Sequence, residues 1–164
     1  MSELDADERL APAASPSFVL ADFLPYRIVV LGRAMSRALA RAYENEDLTI
    51  PEWRVLAVIS QASEMAARDV VAMTPMDKMA VSRAVASLEA KALVKRKSDA
   101  RDKRVYALML SSKGRAVFER VARLPGAYER RLLDGLTEQE RASLKSILEK
   151  LENGAEAVGF DTAN

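Results

Sequence analysis

The 164-residue chain contains no cysteine and no histidine. Without cysteine there is no disulfide, no thiolate metal site and no thiol-based redox sensing. Without histidine it lacks the commonest general base and the commonest transition-metal ligand. Aromatic residues make up only 5%. The longest unbroken apolar run is the six residues of 105–110, where a membrane span needs about 20. The first 17 residues are acidic and carry Pro12 and Pro16, the reverse of a secretory leader, which starts basic and turns apolar. A cytoplasmic protein with no metal and no cofactor is expected.

Hydrophobic content of 49% and charged content of 30% suit one globular domain with its own core. The charge is unevenly placed. From Lys78 to Arg104 there are nine basic residues and three acidic ones, a net of 9 − 3 = +6, whereas the whole chain is 25 − 24 = +1. A nearly neutral protein that gathers its positive charge in one stretch is suited to meet a polyanion there.

Periodicity supplies the frame. Leu24, Ile28, Leu31, Met35 and Leu39 mark a helix within 18–44. Thr49 and Glu52 form a capping box ahead of a helix over 49–61. A short helix follows at about 66–73. Thr74-Pro75, with Asp77 in the first turn, then predicts a helix from 75 to about 91, its apolar stripe being Val81, Val85, Leu88 and Ala92. Val94–Lys97 and Arg104–Leu110 flank a polar turn and read as a hairpin. Ser111 can cap a helix over 112–134, kinked or split at Pro125-Gly126, and Thr137/Glu140 forms another capping box ahead of the last helix. Two short helices, a capped third and a hairpin make a winged helix-turn-helix: mainly α, with a small β-hairpin wing and flanking helices. The expected limits are a disordered tail over 1–17, a domain over 18–152 with its winged core at about 49–111, and a frayed tail over 153–164.

The helix from 75 to 91 carries the reading function. At about 100° per residue, its apolar stripe lies opposite Met79, Arg83, Ala86 and Ala90, flanked by Ala80, Ser82 and Ser87. Small side chains let a helix lie deep in a major groove, and one arginine can read guanine through two hydrogen bonds. Lys78 falls nearer the apolar stripe and is assigned to phosphate. The plain alternative is an ordinary solvated helix surface, although such a surface usually carries more Glu and Lys. In the hairpin, Lys95, Arg96, Lys97, Arg101, Lys103 and Arg104 fit a minor groove and its phosphates, but strand alternation keeps them from all touching one duplex. The alternative here is an edge hairpin kept soluble by its charges.

These residues resemble the MarR family of bacterial winged-helix regulators. The resemblance covers about residues 18–152. It is most specific in the stretch Met76–Arg83 and in the wing stretch Asp99–Arg104 running on to Leu110, Ser111, Lys113 and Gly114; Leu24–Arg27 and Pro51–Arg54 also look like a common subgroup. The family's Asp-x-Arg wing motif falls on Asp102 and Arg104, which implies that Arg104 enters the minor groove while Asp102 orients the wing. The family's usual Gly-Leu after the recognition helix is Ala92-Leu93 here, a departure that bears on the turn and not on the fold. The resemblance further implies a homodimer built by helices 18–44 and 112–152, a palindromic double-stranded DNA operator, and repression. It also implies modulation by a small organic, often anionic aromatic, ligand, for which Tyr26, Arg27, Trp53 and Arg54 are the candidates. The competing reading for these four is a core anchor with structural ion pairs. Two other classes stand against the regulator: a winged-helix protein-interaction module without specific DNA binding, and an enzyme, which would need a Ser/Lys or carboxylate site.

Overall fold

The computed structural model describes residues 18–98 and 106–157. The chain divides into two compact units, residues 1–36 and 37–164. In the first, a 3-10 turn at Leu20–Asp22 leads into α1 (Leu24–Ala42), with Pro25 in the first turn, where a missing N–H costs no helix bond. Apolar residues of its first half are exposed, among them Leu24, Ile28 and Leu31, and Phe18 meets Phe23 edge to face. None of the described helices is long and apolar enough to cross a membrane.

The second unit takes the end of α1 and adds α2 (Ile50–Ile59), β1 (Met65–Ala66), α3 (Ala67–Ala72), α4 (Lys78–Ala90), β2 (Val94–Ser98), β3 (Tyr106–Leu110), α5 (Ser112–Val121), α6 (Leu124–Leu133) and α7 (Glu138–Ala157). The sheet is antiparallel in the order β1-β3-β2, with Met65 opposite Leu108 and Val94 opposite Leu110. The core gathers Val55, Leu56 and Ile59 of α2, Val70 of α3, Val81, Val85 and Leu88 of α4, Leu108 of β3 and Val117 and Val121 of α5. Burying an aliphatic side chain of this size contributes about 1.5–3 kcal/mol, so this cluster sets the arrangement of the winged unit.

Several expectations need correction. The cap of α4 is Asp77, whose carboxylate accepts the Ala80 N–H at 2.7 Å; Thr74 instead donates its hydroxyl to the Val70 carbonyl, closing α3. The helix therefore starts at Lys78, and Pro75 lies before it. Met65 and Ala66 form a third strand that sequence reasoning placed at the edge of a helix. The stretch after Ser111 is split into two helices, one of the two outcomes expected of Pro125-Gly126, with Pro125 in the first turn of α6. The last helix passes residue 152 and ends at Ala157.

Ala92 is not part of the apolar stripe. It is exposed, lies beyond the end of α4, and has φ 58° in the left-handed region. The turn is a Schellman motif: the Leu93 N–H donates to the Leu88 carbonyl at 2.8 Å and the Ala92 N–H to that of Glu89 at 2.9 Å. Leu93 then packs in the core near Leu88. The same turn receives α5. The Ser111 N–H donates to the Leu93 carbonyl, and the Ser111 hydroxyl donates to the Ala92 carbonyl at 2.7 Å while accepting from the Gly114 N–H at 2.9 Å. A Cβ on Gly114 would stand 1.9 Å from the Leu93 carbonyl oxygen, so only glycine fits there.

The capping box at the head of α2 holds a buried acid. Glu52 is only 2% exposed. Its Oε2 accepts the Thr49 N–H at 2.7 Å, its Oε1 accepts the Ser87 hydroxyl at 2.5 Å, and the Lys91 ammonium lies 2.9 Å from Oε1. Burial alone would raise the carboxyl pKa, but the bonds from Ser87, Thr49 and Lys91 outweigh it and hold it at about 2.

Two predictions follow from these contacts. Ala92→Gly should stabilise the protein by about 1 kcal/mol, since a left-handed residue with a Cβ costs about 1–2 kcal/mol; a urea midpoint that does not rise would remove the strain assigned to this turn. Glu52 titrates near 4.5 when unfolded and near 2 when folded, so its stabilisation is complete above about pH 4.5 and is lost as pH falls toward 2. At about 1.4 kcal/mol per unit, this amounts to roughly 3 kcal/mol. The stability difference between the wild type and Glu52→Gln should therefore shrink across that window, which denaturation at stepped pH measures.

Candidate nucleic-acid interface

Three features of the sequence make α4 a helix with one free face. Asp77 starts it, the left-handed Ala92 stops it, and between them Val81, Ala84, Val85 and Leu88 turn into the core. The opposite face is open: Met79, Ser82, Arg83, Ala86 and Ala90 are exposed, and Met79 retains 64% of its surface. Apart from Arg83 and Met79 these side chains are small, so the backbone of α4 can approach a neighbouring surface closely. Ala80 and Ser87 flank the face and are half-buried. Ser87 differs from its expected role in one respect, because its hydroxyl proton is committed to Glu52 and points back toward α2.

The basic residues of β2 divide by strand alternation. Arg96 stands opposite Leu108 and shares the sheet face that carries Val94 and Leu110. From there its Nε reaches Oε1 of Glu89 on α4 at 2.8 Å. Lys97 stands opposite Ala107 on the other face and pairs with Glu64, whose carboxylate raises the ammonium pKa. Lys95 shares that face with Lys97 and is exposed. Two of the three cations of β2 are thus bound to acids of this chain. Sequence reasoning gave those acids no part, because the pairs join residues 7 and 33 positions apart. Arg101, Asp102, Lys103 and Arg104 lie outside the described residues.

Lys78, the first residue of α4, is exposed and borders a cavity of about 420 Å³ between α3, α4 and the sheet. Val71, Val81, Val85 and Leu108 give this cavity an apolar floor, and Arg68, Lys78, Ser82 and Arg96 supply its polar groups. Arg68 is 89% exposed and was not singled out in the sequence, where it reads as one more charge on a short helix.

The four residues expected to receive a ligand are placed as follows. Trp53 stacks on Phe118 with centroids 5.9 Å apart and an interplanar angle of 17°, and it also meets Tyr43 at 5.7 Å. Tyr43 is buried, which raises its phenol pKa. Trp53 is therefore an anchor of the aromatic cluster between α2 and α5. Arg54 is half-buried beside Tyr43 and is already engaged. Tyr26 and Arg27 belong to the first unit and lie exposed on α1. Among the described residues, no group of His, Cys, Asp and Glu could hold a metal ion.

The arrangement is an exposed helix of small residues with a cationic strand beside it, and its likenesses agree. The MarR family profile matches residues 46–105, from the turn before α2 to the hairpin. The HTH-type transcriptional repressor Rv2887 of Mycobacterium tuberculosis is 26% identical over 134 residues, covering 80% of this chain and 96% of the relative. Among solved structures, mutant MarR from E. coli in complex with operator DNA superposes with a TM-score of 0.74 at 25% identity, over 82% of this chain and 99% of that one. A MarR/EmrR family regulator from Acinetobacter sp. ADP1 superposes with a TM-score of 0.73 at 29% identity, over 82% and 95%. Fold and sequence therefore agree: the winged unit matches the MarR family of transcriptional regulators over residues 46–105, and most of the chain is similar to members of that family.

Proposed function

We propose that this regulator binds a palindromic DNA operator as a homodimer and represses transcription from it. The observation that carries the reading is the free face of α4, on which Arg83 stands among small exposed residues with a packed core behind it. In this reading Arg83, Ser82 and Met79 meet base edges in the major groove, while Ser87 contributes through its position at the edge of that face. Lys78 and Lys95 lie toward phosphate. Arg96 and Lys97 contact DNA only by sharing or releasing Glu89 and Glu64. The wing residues Arg101, Asp102, Lys103 and Arg104 extend the contact, with Arg104 in the minor groove. These four assignments rest on sequence and family resemblance.

Two-fold pairing is supported by exposed apolar side chains in each unit: Leu24, Ile28 and Leu31 on α1, and Leu144, Ile147, Leu148 and Leu151 on α7. Water-exposed stripes of this kind on amphipathic helices call for a covering partner, and a second copy supplies one while setting the half-site spacing. Helices within 18–44 and 112–152 are accordingly proposed as the dimerisation elements. A small organic anion is proposed as effector. The apolar cavity with Arg68, Lys78 and Arg96 on its lining has the chemistry to take one, an apolar floor with cations for a carboxylate. It is a better-formed seat than the Tyr26, Arg27, Trp53 and Arg54 set, whose indole is committed to packing.

Selection of bound sequences from a random duplex pool tests the reading, repeated with aromatic carboxylic acids present. A recovered palindrome is expected, with its recovery lowered by an effector; recovery of no sequence above background would favour the protein-interaction alternative. On the recovered operator, Arg83→Ala should cost about 1–3 kcal/mol and relax the preference at one position of each half-site. Arg104→Ala should weaken binding and reduce the salt slope by about one unit for each half-site. Unchanged affinity in either variant removes that residue from the interface.

A further inference from the structure

Behind the free face of α4 is a buried ion cluster that contact with DNA does not explain. Glu52 at the head of α2 is 2% exposed and accepts three hydrogen bonds, from the Thr49 N–H, the Ser87 hydroxyl and the Lys91 ammonium, whose nitrogen also lies 2.9 Å from the second carboxylate oxygen. Ser87 and Lys91 are one turn apart at the C-terminal end of α4, at i and i+4, so both grip from the same side of the helix. Lys91 also donates to the Asp47 carbonyl and lies 3.5 Å from the Asp47 carboxylate, which ties it to the turn before α2. No buried side-chain polar atom among the described residues lacks a partner, those of this cluster included. An apolar contact between α2 and α4 would resist separation but would allow the helix to roll or slide. Directional bonds from Ser87 and Lys91 to one fixed carboxylate remove that freedom.

We propose that Glu52 is a positioning residue for DNA recognition: through Ser87 and Lys91 it fixes the roll of α4 and thus the aim of Arg83, one turn before Ser87. This rests on the operator-binding reading above. Loss of the latch would alter the choice between sequences more than the attraction to phosphate. A buried ion pair of this kind often contributes little net stability compared with an apolar substitute, and a role in specificity is a reason for its presence.

The test uses the full-length protein, with Ser87→Ala as the mild variant, Glu52→Gln as the stronger one, and their combination. Binding to the selected operator and to a scrambled duplex is measured at several salt concentrations and corrected for the folded fraction. The ratio of operator to scrambled affinity should fall about tenfold in each single variant, with an unchanged salt slope. The double variant should fall no further than Glu52→Gln alone, because both changes break one linkage. If Ser87 instead touched DNA directly, Ser87→Ala would lower the ratio, Glu52→Gln would not, and the proposal would be overturned. Unchanged ratios in both would overturn it too. Amide hydrogen exchange provides a readout that needs no DNA: the amides of residues 86–93 should exchange about tenfold faster in both variants. Faster exchange in a protein that recovers no operator would refute the operator reading while leaving the latch in place. Unaltered exchange would refute the latch itself.

Discussion

The C-terminal turn of α4, Lys91–Leu93, is the point at which the winged unit is tied together. The Lys91 ammonium binds Glu52 of α2, and the Lys91 carbonyl accepts the Lys113 ammonium of α5 at 3.0 Å. The Ala92 carbonyl accepts Ser111, and the Leu93 carbonyl accepts the Ser111 N–H with Gly114 pressed against it. Three residues thus connect α4 to α2, to the strand after it and to α5. A shift of this turn moves all of them at once. That explains why it tolerates alanine in a left-handed conformation: the surrounding bonds determine the backbone there, and the strain persists because several partners hold it.

The charge concentration takes on a different meaning once the pairs are known. Of the nine cations between Lys78 and Arg104, Lys91 neutralises Glu52, Arg96 meets Glu89 and Lys97 meets Glu64. Lys91 serves the fold. The exposed pairs of Arg96 and Lys97 are worth little as stabilising bridges, since exposed ion pairs contribute about 0–1 kcal/mol. In the proposed operator reading, they hold long side chains close to a surface from which a phosphate can draw them. In the proposed operator reading, the contacts to DNA then concentrate on Lys78, Arg83 and Lys95 among the described residues, all of which are exposed.

Much of this was legible because it is local. Thr49/Glu52, Ser111 and Thr137/Glu140 are caps made by residues three apart, and the Thr137 hydroxyl accepts the Glu140 N–H at 3.3 Å. The face of α4 follows from a fixed angle per residue. What could not be read involves choice or distance. Thr74 and Asp77 were both able caps, and in the structure Thr74 closes α3 while Asp77 caps α4. Met65 and Ala66 become a strand only because Leu108 and Ala107 lie alongside them, more than 40 residues later in the chain. The second and third partners of Glu52 are 35 and 39 residues away. A capping glutamate with nothing unusual around it in sequence gives no hint that it is also a buried counter-ion.

The same bonds limit how the protein can be controlled. The chain has no thiol to oxidise and no imidazole to protonate. The buried acid behind the recognition helix titrates near pH 2, far below any physiological excursion, because the bonds that position α4 also stabilise its charge. The acid that anchors α4 is thus no proton switch near neutral pH. In the proposed reading, an input acts by geometry, either by filling a space beside α4 or by changing the distance between two copies of it. In both cases the latch matters for the output. A recognition helix free to roll would absorb a displacement locally, whereas one locked to α2 passes it on as a rigid movement of the whole winged unit. In the proposed reading, rigidity at Glu52 therefore serves regulation as much as recognition.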